Sequence, residues 1–153
     1  MAGTRGDSAL HPNQNGMLYH SSKVKAEDVT DGLSNTAMVG ERPPSVDLWF
    51  GWWFAGAGYP DTSGQQLGVG DVVMGAREEG YAQWLNCKPT ASNVGLRPGN
   101  IDNFCDQSHW WSQHPGGTNF LIADGSVRFV SYHGDAVLPQ FFTRNGGEAA
   151  ELP

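Results

Sequence analysis

The sequence predicts an α+β, mainly β domain, a twisted antiparallel sheet with short helices and long loops, and three observations lead there. Glycine (21) and proline (9) make up about a fifth of the 153 residues and only 16% are charged, where glycine and proline together reach about 12% in ordinary domains. Long amphipathic helices are therefore not expected to dominate. The apolar residues fall in short runs bounded by turn formers, the pattern of strands. Finally, Asp124-Gly125 stands between two such runs, a strong short-range hairpin signal. Six Trp, four Tyr and seven Phe supply the surface for a real core. At this length one domain, residues 1–153, is the default.

The elements follow in chain order. Residues 1–22 are polar, with Met17-Leu18-Tyr19 as their one apolar cluster, and read as an extended lead-in with one short strand. Lys25 to Asp31 carries helix formers and stops at Gly32, predicting a helix of about two turns that needs packing to persist. Thr36 to Gly40, closed by Glu41-Arg42-Pro43-Pro44, predicts a buried strand. Leu48 to Tyr59 mixes aromatics with small residues and predicts another strand region. Residues 60–112 are irregular, with strands expected at Val69 to Met74 and Tyr81 to Leu85. A connection this long usually carries function or further structure.

The last third is clearer. A two-residue turn at Asp124-Gly125 sets Ala123 opposite Ser126, so that Ile122 faces Val127 and Phe120 faces Phe129 on one core-facing side. Arg128 then falls opposite Leu121 on a mixed outer face. Asp135 to Arg144 reads as a short helix docking on the sheet, with Pro139 tolerable only in its first turn.

The net charge of −7 rests on 9 Lys and Arg against 16 Asp and Glu. That excludes nucleic acid as an expected partner, because such binding draws on clustered cations, and an anionic membrane surface for the same reason. No run approaches the roughly 18 apolar residues of a membrane span, and the N-terminus has no signal-like apolar region. Cys87 and Cys105 are expected to pair, in an oxidising compartment, with two reduced buried thiols as the alternative. A zinc site on them is disfavoured, since neither has a second Cys at two to four residues.

Two stretches carry more than composition. Asn15 to Arg42, with Asp31-Gly32-Leu33-Ser34-Asn35-Thr36 inside it, resembles the middle segment of the prepilin-like proteins of planctomycetes that carry a domain of unknown function. His114-Pro115-Gly116-Gly117 through Asp124-Gly125-Ser126 is similar to that family's C-terminal signature, a His, nine residues, then Asp-Gly. Thr143 to Glu148 resembles its usual ending. The resemblance implies an exported, type IV pilin-like precursor with an apolar anchor helix, which this chain lacks, and a mainly β head. It identifies no catalytic residue.

Each candidate for chemistry has a plainer reading beside it. Asp31 and Asn35 belong to a polar run suited to bonding backbone groups between elements. Glu41 and Arg42 fit a charge pair fixing a strand end, or a general acid with a cation beside it. His114 is equipped to ligate a metal, move a proton or bond a carbonyl, with Asp124 to orient it. Five or six extended residues at about 3.3 Å each separate the two, so direct contact is not expected. Pro115-Gly116-Gly117 explains the motif as a sharp entry into the hairpin.

Asp102, Asp106, His109 and His114, with His133, offer oxygen and nitrogen ligands. Ca²⁺ would prefer Asn100, Asp102, Asn103 and Asp106, and Zn²⁺ the histidines, although neither spacing matches an established loop. Calcium is the one cofactor raised, by analogy with pilin-like heads that order irregular segments around it. Trp49, Trp52, Trp53, Trp110 and Trp111 suit either core packing or stacking on sugars. Trp110 and Trp111, in a polar loop, are the pair expected at the surface, with Trp49 and Trp53 sharing a strand face. No nucleophile elbow or phosphate loop occurs.

The function expected is a non-enzymatic, secreted or cell-surface structural or adhesive module contacting polysaccharide or other filament subunits. The alternatives are a carbohydrate-binding module using the tryptophans and a metal-dependent hydrolase centred on His109 and His114.

Overall fold

The computed structural model describes residues 15–19, 22–44, 59–60, 66–67, 74–77, 82–83, 86–88 and 94–148. Its centre is a three-stranded antiparallel sheet of Ala37–Gly40 (β1), Gly117–Ile122 (β4) and Val127–Ser131 (β5), in the order β1-β4-β5. Tyr59–Pro60 (β2) and Gln66–Leu67 (β3) form a separate two-stranded pair. The fold is therefore mainly β with few short helices. Of the strand region expected over 48–59 only Tyr59 is described, and of that over 69–74 only Met74; Trp49, Trp52 and Trp53 lie outside the described residues. The strand expected over 81–85 is corrected where it is described, because Ala82 and Gln83 are helical, closed by the Cys87 amide on the Ala82 carbonyl at 2.8 Å.

Both expected helices are shorter than the sequence suggests. The first is a single 3₁₀ turn, Ala26–Asp28, in which the Asp28 carboxylate accepts from the Lys25 amide at 2.8 Å. With β-branched Val29 and Thr30 following and Gly32 at φ +97°, nothing extends it. The second divides into a 3₁₀ turn, Tyr132–Ala136, and one turn of α-helix, Leu138–Phe141 (α1), with Pro139 in the first turn where its missing amide is harmless. Residues 15–19 contain no strand.

The hairpin exists, but its register is one residue away from the expected one. Only Gly125 in the turn has positive φ, at +88°, whereas a two-residue type I′ turn needs it at both positions. The chain instead makes a three-residue loop, Ala123 to Gly125. The Ile122 amide donates to Ser126 O at 2.8 Å and the Gly125 amide to Ile122 O at 3.0 Å. Asp124 Oδ1 holds the loop by accepting from the Ser126 amide at 2.9 Å and from its hydroxyl at 2.6 Å. These hydrogen bonds place the exposed Asp124 carboxyl below its usual pKa. Leu121 now pairs with Val127, Phe120 with Arg128, and Thr118 with Val130.

Because side chains alternate with period two, this single step reverses the faces of β5. Phe120, Ile122 and Val130 are fully buried, while Val127 and Phe129 are 66% and 51% exposed. The expectation that all four of Phe120, Ile122, Val127 and Phe129 face the core thus holds for the β4 pair and fails for the β5 pair. On the other edge, β1 carries a bulge between Ala37 and Val39. Ala37 stays inside and Val39 is turned out.

Beneath the sheet, Trp110, Phe120 and Phe142 form a triangle of rings with centroids 5.6–5.7 Å apart, in the tilted and edge arrangements that aromatic quadrupoles favour. Ala37, Leu96, Ile122, Val130, Leu138 and Phe141 are among the residues that pack around it in this core. Asp135 ties the periphery together. Its carboxylate accepts from Arg77 at 2.6 and 3.0 Å, from Arg97 at 2.8 Å and from the Leu96 amide at 2.8 Å. Burial alone would raise this carboxyl's pKa, but the donors and the two guanidinium charges outweigh it and hold it below the ordinary range. The expected disulfide, Cys87–Cys105, closes a second small core with Ala82 and Val94.

Candidate functional site

The residues singled out in the sequence gather at two seams of this fold. At the first, Ser112 sets the entry to β4. Its hydroxyl donates to Gly117 O at 2.7 Å and accepts from the His114 amide at 3.0 Å. Gly116 at φ +86° then turns the chain. Gly117 passes so close to β5 that a Cβ there would lie 2.2 Å from Val130 O. This is the sharp entry that Pro115-Gly116-Gly117 foretold.

The turn delivers His114 to the end of β1, where Nε2 lies 3.2 Å from Glu41 Oε1. The other carboxylate oxygen of Glu41 accepts from the Asn119 amide at 3.0 Å and its side chain at 2.9 Å. Glu41 thus extends the β1–β4 ladder by one rung, with its own amide on Asn119 O. Arg42, proposed as its charge partner, donates to Gln107 O. His114 and Glu41 are substantially exposed, 57% and 34% by side chain, where such a pair contributes little energy. His114 and Asp124 face different partners, Glu41 and Ser126, as the length of β4 requires.

The second seam joins the chain's early and late segments through Asp31. Its carboxylate accepts from the Gly146 and Gly147 amides at 2.7 and 2.9 Å and from the Thr143 hydroxyl at 3.3 Å. The Asp31 amide donates to Arg144 O at 3.1 Å. Asn35 and Thr36 donate to Asp31 O and Gly32 O, both at 3.1 Å, while Asp124 and Ala123 donate their amides to Leu33 O and Thr36 O. Three motifs far apart in sequence therefore close on one another.

The metal candidates separate. Asp106 and His109 pack together below the surface, with Asp106 Oδ1 3.1 Å from His109 Nε2, whereas His114 belongs to Glu41. Among the described residues no three His, Cys, Asp or Glu side chains converge on a point that could hold an ion. The oxygens suggested for calcium serve the loop's own amides: Asn100 Oδ1 takes Asp102 N, Asn103 Oδ1 takes Cys105 N, and Asp106 Oδ2 takes Asn100 N. Asp102 is exposed on that same loop, and His133 is exposed on the turn Tyr132–Ala136. Burial lowers the His109 pKa, against the opposing pull of Asp106.

The tryptophan expectation is corrected. Trp110 and Trp111 are 5% and 4% exposed rather than displayed. Trp110 donates Nε1 to Gly75 O at 2.8 Å and Trp111 to Asp106 O at 2.8 Å. Each indole therefore satisfies its one donor inside the protein, which lets polar-looking sequence bury it. The polar residues beside them in sequence, Ser108, His109 and Ser112, are themselves buried.

One groove that the sequence did not announce lies between Tyr19 and residues 23–30 on one side and Arg144-Asn145 on the other. No local pattern marks it, since its walls come from opposite ends of the chain. A family model described as a protein of unknown function (DUF1559) matches residues 3–136. No curated protein and no solved structure matches.

Proposed function

The chain belongs to the DUF1559 family of proteins of unknown function, and on that premise we propose that it is an exported, non-enzymatic surface module of pilin-like type, structural or adhesive in role. The observation that carries this reading is where the motif residues spend their polar groups. Asp31 and Glu41 bond backbone of segments far away in the chain, and Asn35 and Asp124 bond backbone within their own turns, so the recognisable residues build the scaffold. A hydrolase centred on His109 and His114 would need both imidazoles at one point, and they go to different carboxylates. The Cys87–Cys105 bond supports an extracytoplasmic location. Among the described residues no helix is long and apolar enough to cross a membrane.

Surface shaving of intact host cells with protease, followed by mass analysis of the released and the retained chain, tests this. The expected result is release of an oxidised chain whose precursor was cut at a prepilin-type site. A reduced chain retained in the cytoplasm overturns the reading.

A further inference from the structure

The groove beside Arg144 has a volume of about 480 Å³, within the roughly 300–1,000 Å³ of small-molecule sites. Its two walls are held in register by the Arg144 amide on Asn15 O at 2.9 Å, the Arg144 guanidinium on Gly16 O at 2.7 Å, and the Asp31 amide on Arg144 O. The Arg144 guanidinium also sits 5.8 Å from the centroid of the Tyr19 ring, a cation–π distance.

The lining is balanced in charge, Lys23 and Arg144 against Glu27 and Asp28, in a molecule that is acidic as a whole. In a chain of net charge −7 with only three lysines, Lys23 and Arg144 line the groove. Glu27 is engaged by Lys25 Nζ at 3.0 Å, and Asp28 by the Lys25 amide. The side chains of Lys23, Thr30 and Asn145 make no hydrogen bond or ion pair among the described residues. Two cations on a lining that is neutral on balance hold an anion better than the negative mean field of the molecule does. Yet the two carboxylates on the same wall would repel a compact polyanion. They suit hydroxyl groups, which donate to carboxylates and accept from amides and ammonium groups. One carboxylate surrounded by hydroxyls answers all of these requirements.

We propose that this groove binds a carboxylated saccharide, a uronic-acid unit of an acidic polysaccharide, with its carboxylate toward Lys23 and Arg144 and its hydroxyls toward Asp28, Thr30 and Asn145. The proposal rests on the reading of the protein as a surface contact module and names what it contacts.

Titration calorimetry of the full chain with trigalacturonic acid tests it, with maltotriose and inorganic phosphate as separate arms. The expected result is saturable binding of trigalacturonate alone, weakened by added salt and weakened about tenfold or more by Lys23→Gln, since a hydrogen bond to a charged group contributes that much. Asn145→Ala, on an exposed position, is expected to weaken it less, and both variants keep the wild-type circular dichroism. The proposal is overturned by silence toward trigalacturonate, by equal binding of maltotriose, by equal binding of phosphate, or by an unchanged affinity in Lys23→Gln. A null titration of a chain that shaving has placed at the cell surface sinks the groove and spares the broader reading. A cytoplasmic chain that still binds trigalacturonate does the reverse.

Discussion

Gly116 and Gly117 are neighbours with different obligations. Gly116 needs only its left-handed backbone, with open space where a Cβ would point, whereas Gly117 would drive a Cβ into Val130 O. An alanine at Gly116 is expected to cost about 1–2 kcal/mol, the ordinary penalty of that conformation. An alanine at Gly117 must displace β5 and is expected to cost about 3 kcal/mol or more, among the larger single-substitution effects. Urea denaturation of the two variants checks the order, and equal losses would contradict the close approach. His109 offers a second test at this scale. Burial lowers its pKa from 6.5, so the unfolded chain binds the proton more readily than the folded one. Its contribution is present above about pH 6.5 and is lost as pH falls through and below that value. Denaturation between pH 8 and 5 should therefore show a steeper decline for the wild type than for His109→Phe, and parallel profiles would refute it.

Among the elements, the hairpin shows how a turn decides a face. A three-residue loop ending in Gly125 shifts the pairing by one residue relative to a two-residue Asp-Gly turn, and Phe129 moves from core to surface while Phe120 stays buried. The two phenylalanines should respond accordingly. Phe120→Ala is expected to destabilise by about 3–5 kcal/mol through the cavity it leaves in the aromatic triangle. Phe129→Ser is expected to change stability by about 1 kcal/mol or less, as for other exposed positions. Comparable losses at both positions, measured by thermal or chemical unfolding, would restore the two-residue turn.

At the scale of the whole molecule, long-range ties hold distant segments of the described residues together. Asp31 binds residues 143–147, Asp135 gathers Arg77 and Arg97, and the disulfide joins two residues 18 apart in sequence. Closing a loop of that size stabilises by roughly 3 kcal/mol through the unfolded state. Replacing both cysteines by alanine is expected to lower the unfolding free energy by that amount and to make it indifferent to reductant. A double variant as stable as the wild type would show that packing around Ala82 and Val94 suffices.

The sequence by itself determined the mainly β class, the existence of the hairpin, the β1 strand, the pairing of its only two cysteines and the sharp turn at Pro115-Gly116-Gly117. These follow from local rules: composition, turn chemistry and the conformational range of single residues. Only the tertiary structure decided that Phe129 faces out, that Trp110 and Trp111 are buried, that His109 and His114 part company, and that Tyr19, Lys23 and Arg144 share a groove. Turn type depends on a difference of one positive φ angle, and burial depends on what arrives from elsewhere in the chain. Trp110 goes inside because Phe120, Phe142 and the Gly75 carbonyl meet it there, and no pattern of neighbours along residues 100–114 contains that information.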